Sequence, residues 1–594
     1  MLVSLPFAWL YLLPSGLVDF SKSILYSLGF SSNFYFHYSG QIYGAESGLF
    51  KPFLHTWSLS VEEQFYIFFP IILLTIFKYF RKHLLIILVI GLIISLQMAG
   101  WFSKNYSSIS FYFIHTRMWE LLAGSILAYF EIKLGHRSKN KTLNLILPSV
   151  GLFLIGHYIL FFNDKMFHPS FFTLSPIIGV CLIIWFSSKD EIIKKILSTR
   201  LFVGVGLISY SLYLWHYPIF AFARIKNNNP SGYDKFEWVV LSIILSLISY
   251  FFVEKLFRNK KYKIKPIIIL IIFFLSGLIL YNLTVIKKEG FKERIPKIFE
   301  ENFFQKPWLL LKDKNGKSCH NNVKGCRFDT HLNKKIFLIG DSHMESIMYD
   351  LKKRITPKGY QFITYTSAGC LYFPGFDLKN KNTNKIHHGC DFDYFEKLKK
   401  ILLTEKDSII IFGGRFPLYL TNNYFNNLEG GVEGTGSFVE YISRGYYDSI
   451  GESFKNELLK FSNSQNIILV YPIPEVGWNS PLILFNSIKK IKKTLLTERD
   501  SMKKYSLPSI STSFDVYKER TKTSFKLLNS IKNKNIFRIY PHKLFCNNIQ
   551  NNRCIINDDK NIFYSDTNHP SIKGAEMIND LIMKEIEKIE IKSN

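Results

Sequence analysis

The sequence predicts a polytopic α-helical membrane domain followed by an extracytoplasmic α/β domain built on a doubly wound, five-stranded parallel sheet. Three observations carry this. Long apolar runs are confined to about the first 285 residues, and six of the seven cysteines fall after residue 300. From residue 334 onward, short β-rich runs alternate with helical stretches, the pattern of a parallel sheet.

At 594 residues the chain exceeds one ordinary domain. It is 48% hydrophobic and 16% aromatic with 20% charged residues, which excludes a disordered or collagen-like chain. A mean hydropathy of +0.09 fits a mixture of membrane and soluble parts. The formal net charge of +28 is dispersed, with Lys far ahead of Arg. No basic stripe interleaved with aromatics and no nucleic-acid motif accompanies it, so nucleic-acid binding is not expected.

Apolar runs of membrane-spanning length occur at about 60–79, 84–101, 111–131, 144–162, 172–186, 200–222, 236–254 and 265–283. With a short run at 2–13 they give nine crossings, and the more polar segment 17–37 reads as re-entrant or interfacial. Basic loops at Arg81-Lys82-His83, Lys133 to Lys141, Lys189 to Arg200 and Arg258 to Lys265 recur at every second connection. By the positive-inside rule these face the cytoplasm, which places residues 286–594 outside it. The cysteines agree. Cys319, Cys326, Cys370, Cys390, Cys546 and Cys554 form three sequence-near pairs, as disulfides in an oxidising compartment would. Sequence leaves fifteen connectivities open, of which nearest-neighbour pairing is preferred. No spacing resembles a zinc site, and no metal is expected.

Polar residues inside membrane runs are costly and point to function or to helix contacts. Arg117 and Glu120, three apart on one expected helix, can pair. Ser209, Tyr210, Tyr213 and His216 share one helix face. His55-Thr56-Trp57-Ser58-Leu59-Ser60-Val61-Glu62-Glu63-Gln64-Phe65-Tyr66 sets two adjacent carboxylates at the mouth of a membrane helix. There a capping serine and the helix dipole supply a purely structural alternative.

These segments resemble the membrane acyltransferase-3 family. The resemblance rests on His55 to Pro70, His115 to Gly124, Ser209-Tyr210-Ser211-Leu212-Tyr213-Leu214-Trp215-His216-Tyr217-Pro218 and Tyr250-Phe251-Phe252-Val253-Glu254-Lys255, in family order across residues 1–258. It implies transfer of an acyl group, usually acetyl, from cytoplasmic acetyl-CoA to an extracytoplasmic glycan, with no bound cofactor. His55, Trp57, Glu62, Glu63, Arg117, Glu120, Tyr213 and His216 become the candidate residues of the membrane half. The family's first membrane helix, with a basic residue and a downstream His, has no counterpart, nor does the Arg-rich motif after its second helix. The chain is therefore expected to lack two N-terminal helices, with His55 as the substitute base.

After a linker at 286–333, strands are expected at 335–339, 361–366, 408–412, 466–471 and 536–540 within a domain at 334–594. The first runs into Gly340-Asp341-Ser342-His343, placing a serine where open α/β sheets bind ligands, at a helix N-terminus that favours developing negative charge. Near the other end, Asp566-Thr567-Asn568-His569 sets an Asp three residues before a His, which can orient an imidazole as general base. The two motifs together resemble the SGNH hydrolase family over about 334–590. By that resemblance Ser342 is the nucleophile, His569 the base and Asp566 its orienter. Gly369 belongs to the oxyanion hole. The family's Asn after the third strand is replaced by Gly413-Gly414-Arg415, where Gly414 backbone or Arg415 is expected to stand in.

The expected function is O-acylation of a bacterial surface glycan such as lipopolysaccharide O-antigen, by a multi-pass protein of the inner membrane. The alternatives are an SGNH-type O-acetyl esterase and an inactive membrane remnant.

Overall fold

The computed structural model describes residues 1–594 except 41–46, 164–165, 188–190, 228–229, 259–263, 296–309, 381–384, 434–438, 496–506 and 594. Parts of the basic loops at 189–200 and 258–265 and of the expected linker lie outside the described residues.

Among the described residues, five helices are long and apolar enough to cross a membrane: Thr56–Tyr79, Arg81–Asn105, Lys141–Phe161, Gly232–Phe257 and Lys265–Lys287. Phe153, Ile159 and Leu160 on Lys141–Phe161 and Ile269, Phe273 and Leu280 on Lys265–Lys287 are exposed. That arrangement suits hydrocarbon, because the helical backbone satisfies its own polar groups. Helices Lys141–Phe161 and Leu174–Phe186 touch through small residues. A Cβ at Gly151 would lie 2.6 Å from the Gly179 carbonyl oxygen, and one at Gly179 would meet Gly151 equally closely.

Two sequence expectations are corrected, those for 2–13 and 111–131. The run at 2–13 forms only the eight-residue helix Ser4–Tyr11, about 12 Å long and too short to cross. The segment 17–37 is two helices, Pro14–Leu28 and Ser32–Gly40, and the first packs Leu17, Phe20 and Ile24 with Leu278 and Val285 of the last long helix. The run at 111–131 is broken. Ser107–Tyr112 ends at an extended Phe113, and a new helix starts only at Met118. The Thr116 hydroxyl stabilises the break by donating to the carbonyls of Ser110 and Phe113. Arg117 is thus the N-cap residue of its helix.

The α/β domain contains all five expected strands, mutually parallel: Lys334–Gly340, Tyr360–Thr366, Ile409–Gly413, Asn466–Val470 and Ile536–Ile539. The sheet has six strands rather than five. Cys326–Phe328 adds an antiparallel edge beside Tyr360–Thr366, three residues that carry too little pattern to be read from sequence. Side chains alternate between two cores, as a sheet covered on both faces requires. Ile336 and Leu338 pack with Met344, Ile347, Ile578 and Ile582 on one side. Phe337, Ile339 and Ile363 pack with Phe395, Phe454 and Leu458 on the other.

The soluble unit rests on the end of the membrane helices remote from Arg200. Leu484 and Phe485 of helix Ser480–Leu495 pack with Leu13, Ile295 and Ile562, and the Asn486 side chain donates to the Ile225 carbonyl at 3.0 Å. The turn after Lys287 is held by Arg294, which donates to the carbonyls of Trp9 and Leu12.

Candidate active site

Strand Lys334–Gly340 delivers Ser342 to the first turn of helix Ser342–Ile355, whose N-cap is Asp341. Glycine is required where this strand meets its neighbour, because a Cβ at Gly340 would lie 2.2 Å from the Gly413 carbonyl oxygen. His569 arrives from the loop before helix Ile572–Ser593, and its Nε2 lies 2.8 Å from Ser342 Oγ. Its Nδ1 lies 2.6 Å from Asp566 Oδ2, while Asp566 Oδ1 accepts the backbone N–H groups of Asn568 and His569 at 2.9 and 2.8 Å. An Nδ1–H held by Asp566 leaves the Nε2 lone pair facing the hydroxyl, the tautomer a general base needs. Burial alone would raise the Asp566 carboxyl, but His569 and the two N–H groups hold it down at about 2, so it stays ionised. Ser342 is 1% and His569 2% exposed.

Gly369 stands at the end of strand Tyr360–Thr366 with φ of 64°. The N–H of Ser367 donates to the Gly340 carbonyl at 3.1 Å, keeping this loop against the nucleophile turn. On the other side, Gly414 has φ of 149°, and a Cβ there would lie 3.0 Å from the Asp341 carboxylate. Arg415, expected to stand in for an oxyanion donor, turns its guanidinium elsewhere. Nε donates to Glu475 at 2.6 Å and Nη1 to Glu433 at 2.7 Å, with Nη2 reaching both carboxylates. Arg520 Nε binds the second oxygen of Glu475 at 2.9 Å. Burial would raise Glu475, but Arg415 and Arg520 hold it at about 2.

Two residues inside the quoted motifs acquire roles that sequence reading missed. Asn568 Oδ1 lies 3.1 Å from His343 Nε2, and its Nδ2 donates to Glu433 at 3.2 Å. The residue after Ser342 and the residue before His569 are therefore bonded to each other. Their positions inside Gly340–His343 and Asp566–Ser571 were the available signal. All three expected disulfides are present: Cys319–Cys326, Cys370–Cys390 and Cys546–Cys554.

In the membrane half the candidates fall into two groups. His55, Ser58, Tyr213 and His216 converge. Tyr213 donates to the His55 carbonyl at 2.5 Å and lies 2.5 Å from Ser58 Oγ, and the His55 ring is 5.2 Å from Tyr213 and 5.6 Å from His216. Tyr217 stacks on His55 at 5.3 Å. Trp57 belongs to the second group, with the Arg117 guanidinium 5.0 Å from its ring. Arg117 also reaches Glu120 at 3.4 Å and His168 Nε2 at 3.0 Å, a partner the sequence did not suggest. Glu62 and Glu63 follow on the helix that carries Trp57, partly buried. Among the described residues no group of three or more His, Cys, Asp or Glu is placed to hold a metal ion.

Family models match both halves: an acyltransferase domain over residues 10–241, and an SGNH domain of the kind fused to AT3 domains over residues 312–584. A Staphylococcus aureus (strain COL) protein provisionally named as an O-acetyltransferase is 32% identical over 271 residues, 43% of this chain and 44% of its own. O-acetyltransferase OatA of S. aureus (strain NCTC 8325 / PS 47) is 26% identical over 270 residues, 42% of this chain and 43% of its own. The chain spans less than half the length of these curated relatives. Among solved structures, the periplasmic domain of a lipopolysaccharide acetyltransferase from Salmonella ser. Paratyphi A is similar at a TM-score of 0.30 and 15% identity, over 46% of this chain and 92% of that one.

Proposed function

This chain joins an acyltransferase domain to an SGNH domain, and we propose that it is an O-acyltransferase that moves an acetyl group onto a hydroxyl of an extracytoplasmic glycan. The observation that carries this reading is the Ser342–His569–Asp566 constellation, seated in the same chain as a membrane acyltransferase domain. In this reading acetyl-CoA loads the membrane half from the cytoplasm. Residues 286–594 lie beyond the inner membrane, where the acceptor is.

The chemistry follows from the atoms. Ser342 Oγ attacks the acyl carbonyl while His569 Nε2 takes its proton. The tetrahedral oxyanion is met by N–H groups around Gly369 and the N-terminus of helix Ser342–Ile355. Collapse leaves an acyl-Ser342 ester, and the imidazolium protonates the departing group. A sugar hydroxyl then attacks that ester, giving its proton to Nε2, and Ser342 leaves with the proton returned.

The test is glycan-bound acetate in a strain lacking other acetyltransferases, with the chain and with Ser342→Ala. Acetate that depends on Ser342 is expected, together with a 42 Da adduct on the Ser342 peptide when acceptor is withheld. Equal acetate from both chains would exclude Ser342 from transfer.

A further inference from the structure

Away from the triad, a groove of about 460 Å³ opens where the antiparallel strand pair Phe376–Asn380/Val439–Ser443 meets the N-terminus of helix Phe392–Thr404. Its walls carry Asp377, Asp391, Phe392, Asp393, Arg444 and Tyr446. Resting on the reading of the chain as a glycan acyltransferase, we propose that this groove is a subsite for a neutral, hydroxyl-rich oligosaccharide, the acceptor chain of the Ser342 site.

The groove is built, not a chance recess. Asp377, 3% exposed, accepts the Phe392 N–H at 2.8 Å through one oxygen and Arg444 Nε at 2.6 Å through the other. Asp391 caps the helix by accepting the Tyr394 N–H at 2.9 Å. Phe392 and Tyr446 stack, with ring centroids 5.3 Å apart and planes 16° apart. Tyr446 is nevertheless 66% exposed, so one broad apolar ring face is offered to solvent beside fixed polar groups. Gly375, at φ of 86°, lets the chain press against Tyr446 and Tyr447, which sets the height of that ring.

The chemistry of the walls selects the ligand. An aromatic face takes the C–H side of a sugar ring, while the exposed Asp393 carboxylate accepts from its hydroxyls and the half-exposed Arg444 guanidinium, held in place by Asp377, donates to them. Three carboxylates against one guanidinium leave an excess of negative charge, which disfavours uronate or phosphate groups. Position ties the groove to the reaction. Cys370 follows Gly369, and its disulfide partner Cys390 precedes Asp391 and Phe392. With 5.8 Å between the two cysteine Cα atoms and about 3.8 Å per step of chain, Phe392 lies within about 17 Å of the oxyanion loop. One oligosaccharide can span that distance.

The test uses the full chain in detergent, titrated with a neutral N-acetylhexosamine tetrasaccharide and with a tetragalacturonate, binding being read by saturation-transfer NMR. The neutral probe is expected to bind and the anionic one to bind at least about tenfold more weakly. Tyr446→Ala should raise the neutral probe's Kd about tenfold, with the thermal midpoint moving by no more than about 2 °C, because the ring is exposed. Asp393→Asn, a milder exposed change, should narrow the preference for the neutral probe. Unchanged affinity in Tyr446→Ala, or equal affinity for the two probes, would overturn the subsite even where Ser342→Ala abolishes acetylation. Tyr446-dependent binding with Ser342-independent acetylation would uphold the groove as an oligosaccharide site but overturn its assignment to the Ser342 reaction.

Discussion

The backbone N–H of Arg415 donates to Asp341 Oδ2 at 2.8 Å, and Asp341 Oδ1 accepts the His343 N–H at 2.9 Å. One carboxylate thus clips the loop after the third parallel strand to the turn that carries Ser342. Tyr419 adds its hydroxyl to the same oxygen at 3.1 Å. The guanidinium of Arg415 does a separate job. With Arg520 it neutralises Glu475, and with Glu433 it reaches Asn568 beside His569.

Arg415→Ala should therefore act as a structural lesion. It leaves Glu475 buried with one cation fewer, and breaking a buried pair this way costs about 3–5 kcal/mol. Arg415→Lys should recover only part of that loss, because one ammonium cannot match the fork that spans two carboxylates. Denaturant unfolding of the purified chain measures both. A loss below about 1 kcal/mol in the Ala variant would show that the network is dispensable.

Ser342→Ala is expected to behave in the opposite way, with activity lost and the fold kept. Turnover of a small activated acetyl ester should fall by about 10⁴-fold or more, as when a triad nucleophile is removed. The lost hydroxyl bond to His569 should cost only about 1 kcal/mol of stability. Burst kinetics with the ester would register the acyl-enzyme in the unmodified chain, and turnover in the variant near that of the parent would exclude this nucleophile.

Acidification should weaken the α/β domain in two stages. Burial holds His343 and His320 down at about 4 from an ordinary 6.5, against the opposing pull of Asp341. His569 and Arg415 also press on His343, and Glu475 pulls the other way. Between about pH 6.5 and 4 the unfolded chain binds more protons than the folded one, so stability falls as pH falls through that window. Below it, the stability that Glu475 and Asp566 contribute through carboxyls held at about 2 is lost as pH drops from about 4.5 toward 2, because the unfolded chain takes up those protons first. His343→Gln should flatten the dependence of the thermal midpoint on pH in the upper window alone. A slope unchanged there would mean that His343 is not the group being titrated.

The strands and the triad were legible because their signals are local. Lys335 to Ile339 is an unbroken β-rich run, and Gly340-Asp341-Ser342-His343 and Asp566-x-x-His569 are each four residues long. What depends on distant partners was not legible. Arg415 was read as a site donor because nothing beside it announces Glu433 or Glu475, 18 and 60 positions onward. Arg117 was placed within a helix because hydropathy does not register an extended Phe113 or a threonine hydroxyl that stabilises the break. The burial of Ser342 was not legible either, because it depends on partners as distant in the chain as His569.

Thiol chemistry offers a check on the soluble half. Of seven cysteines only Cys181 is free. Maleimide added to chain from the membrane fraction, denatured without reductant, should label one site, and with reductant seven. Labelling at Cys546 or Cys554 without reductant would contradict both the pairing and an oxidising location for residues 286–594.

His55 is the remaining case, because its surroundings combine enclosure with unmet hydrogen-bonding capacity. The ring is 5% exposed among Tyr213, His216 and Tyr217, and neither of its nitrogens finds a partner among the described residues. Leaving buried polar atoms unsatisfied costs about 1–3 kcal/mol, which makes sense where a substrate group completes the bonding. His216 directs Nδ1 to the Tyr213 carbonyl at 2.8 Å, so its Nε2 is the atom left for chemistry nearby. Two readouts separate a working imidazole from a packing one. His55→Phe should raise the thermal midpoint, since an aromatic ring of similar shape removes two unsatisfied nitrogens. The same variant should lower glycan acetylation in cells at least about tenfold, the loss expected when a general base is removed, while Ser342 in detergent-solubilised protein still turns over a soluble acetyl ester. Acetylation at the parental level in His55→Phe would show that the ring only fills space, and a fall in the midpoint would show that its nitrogens are satisfied after all.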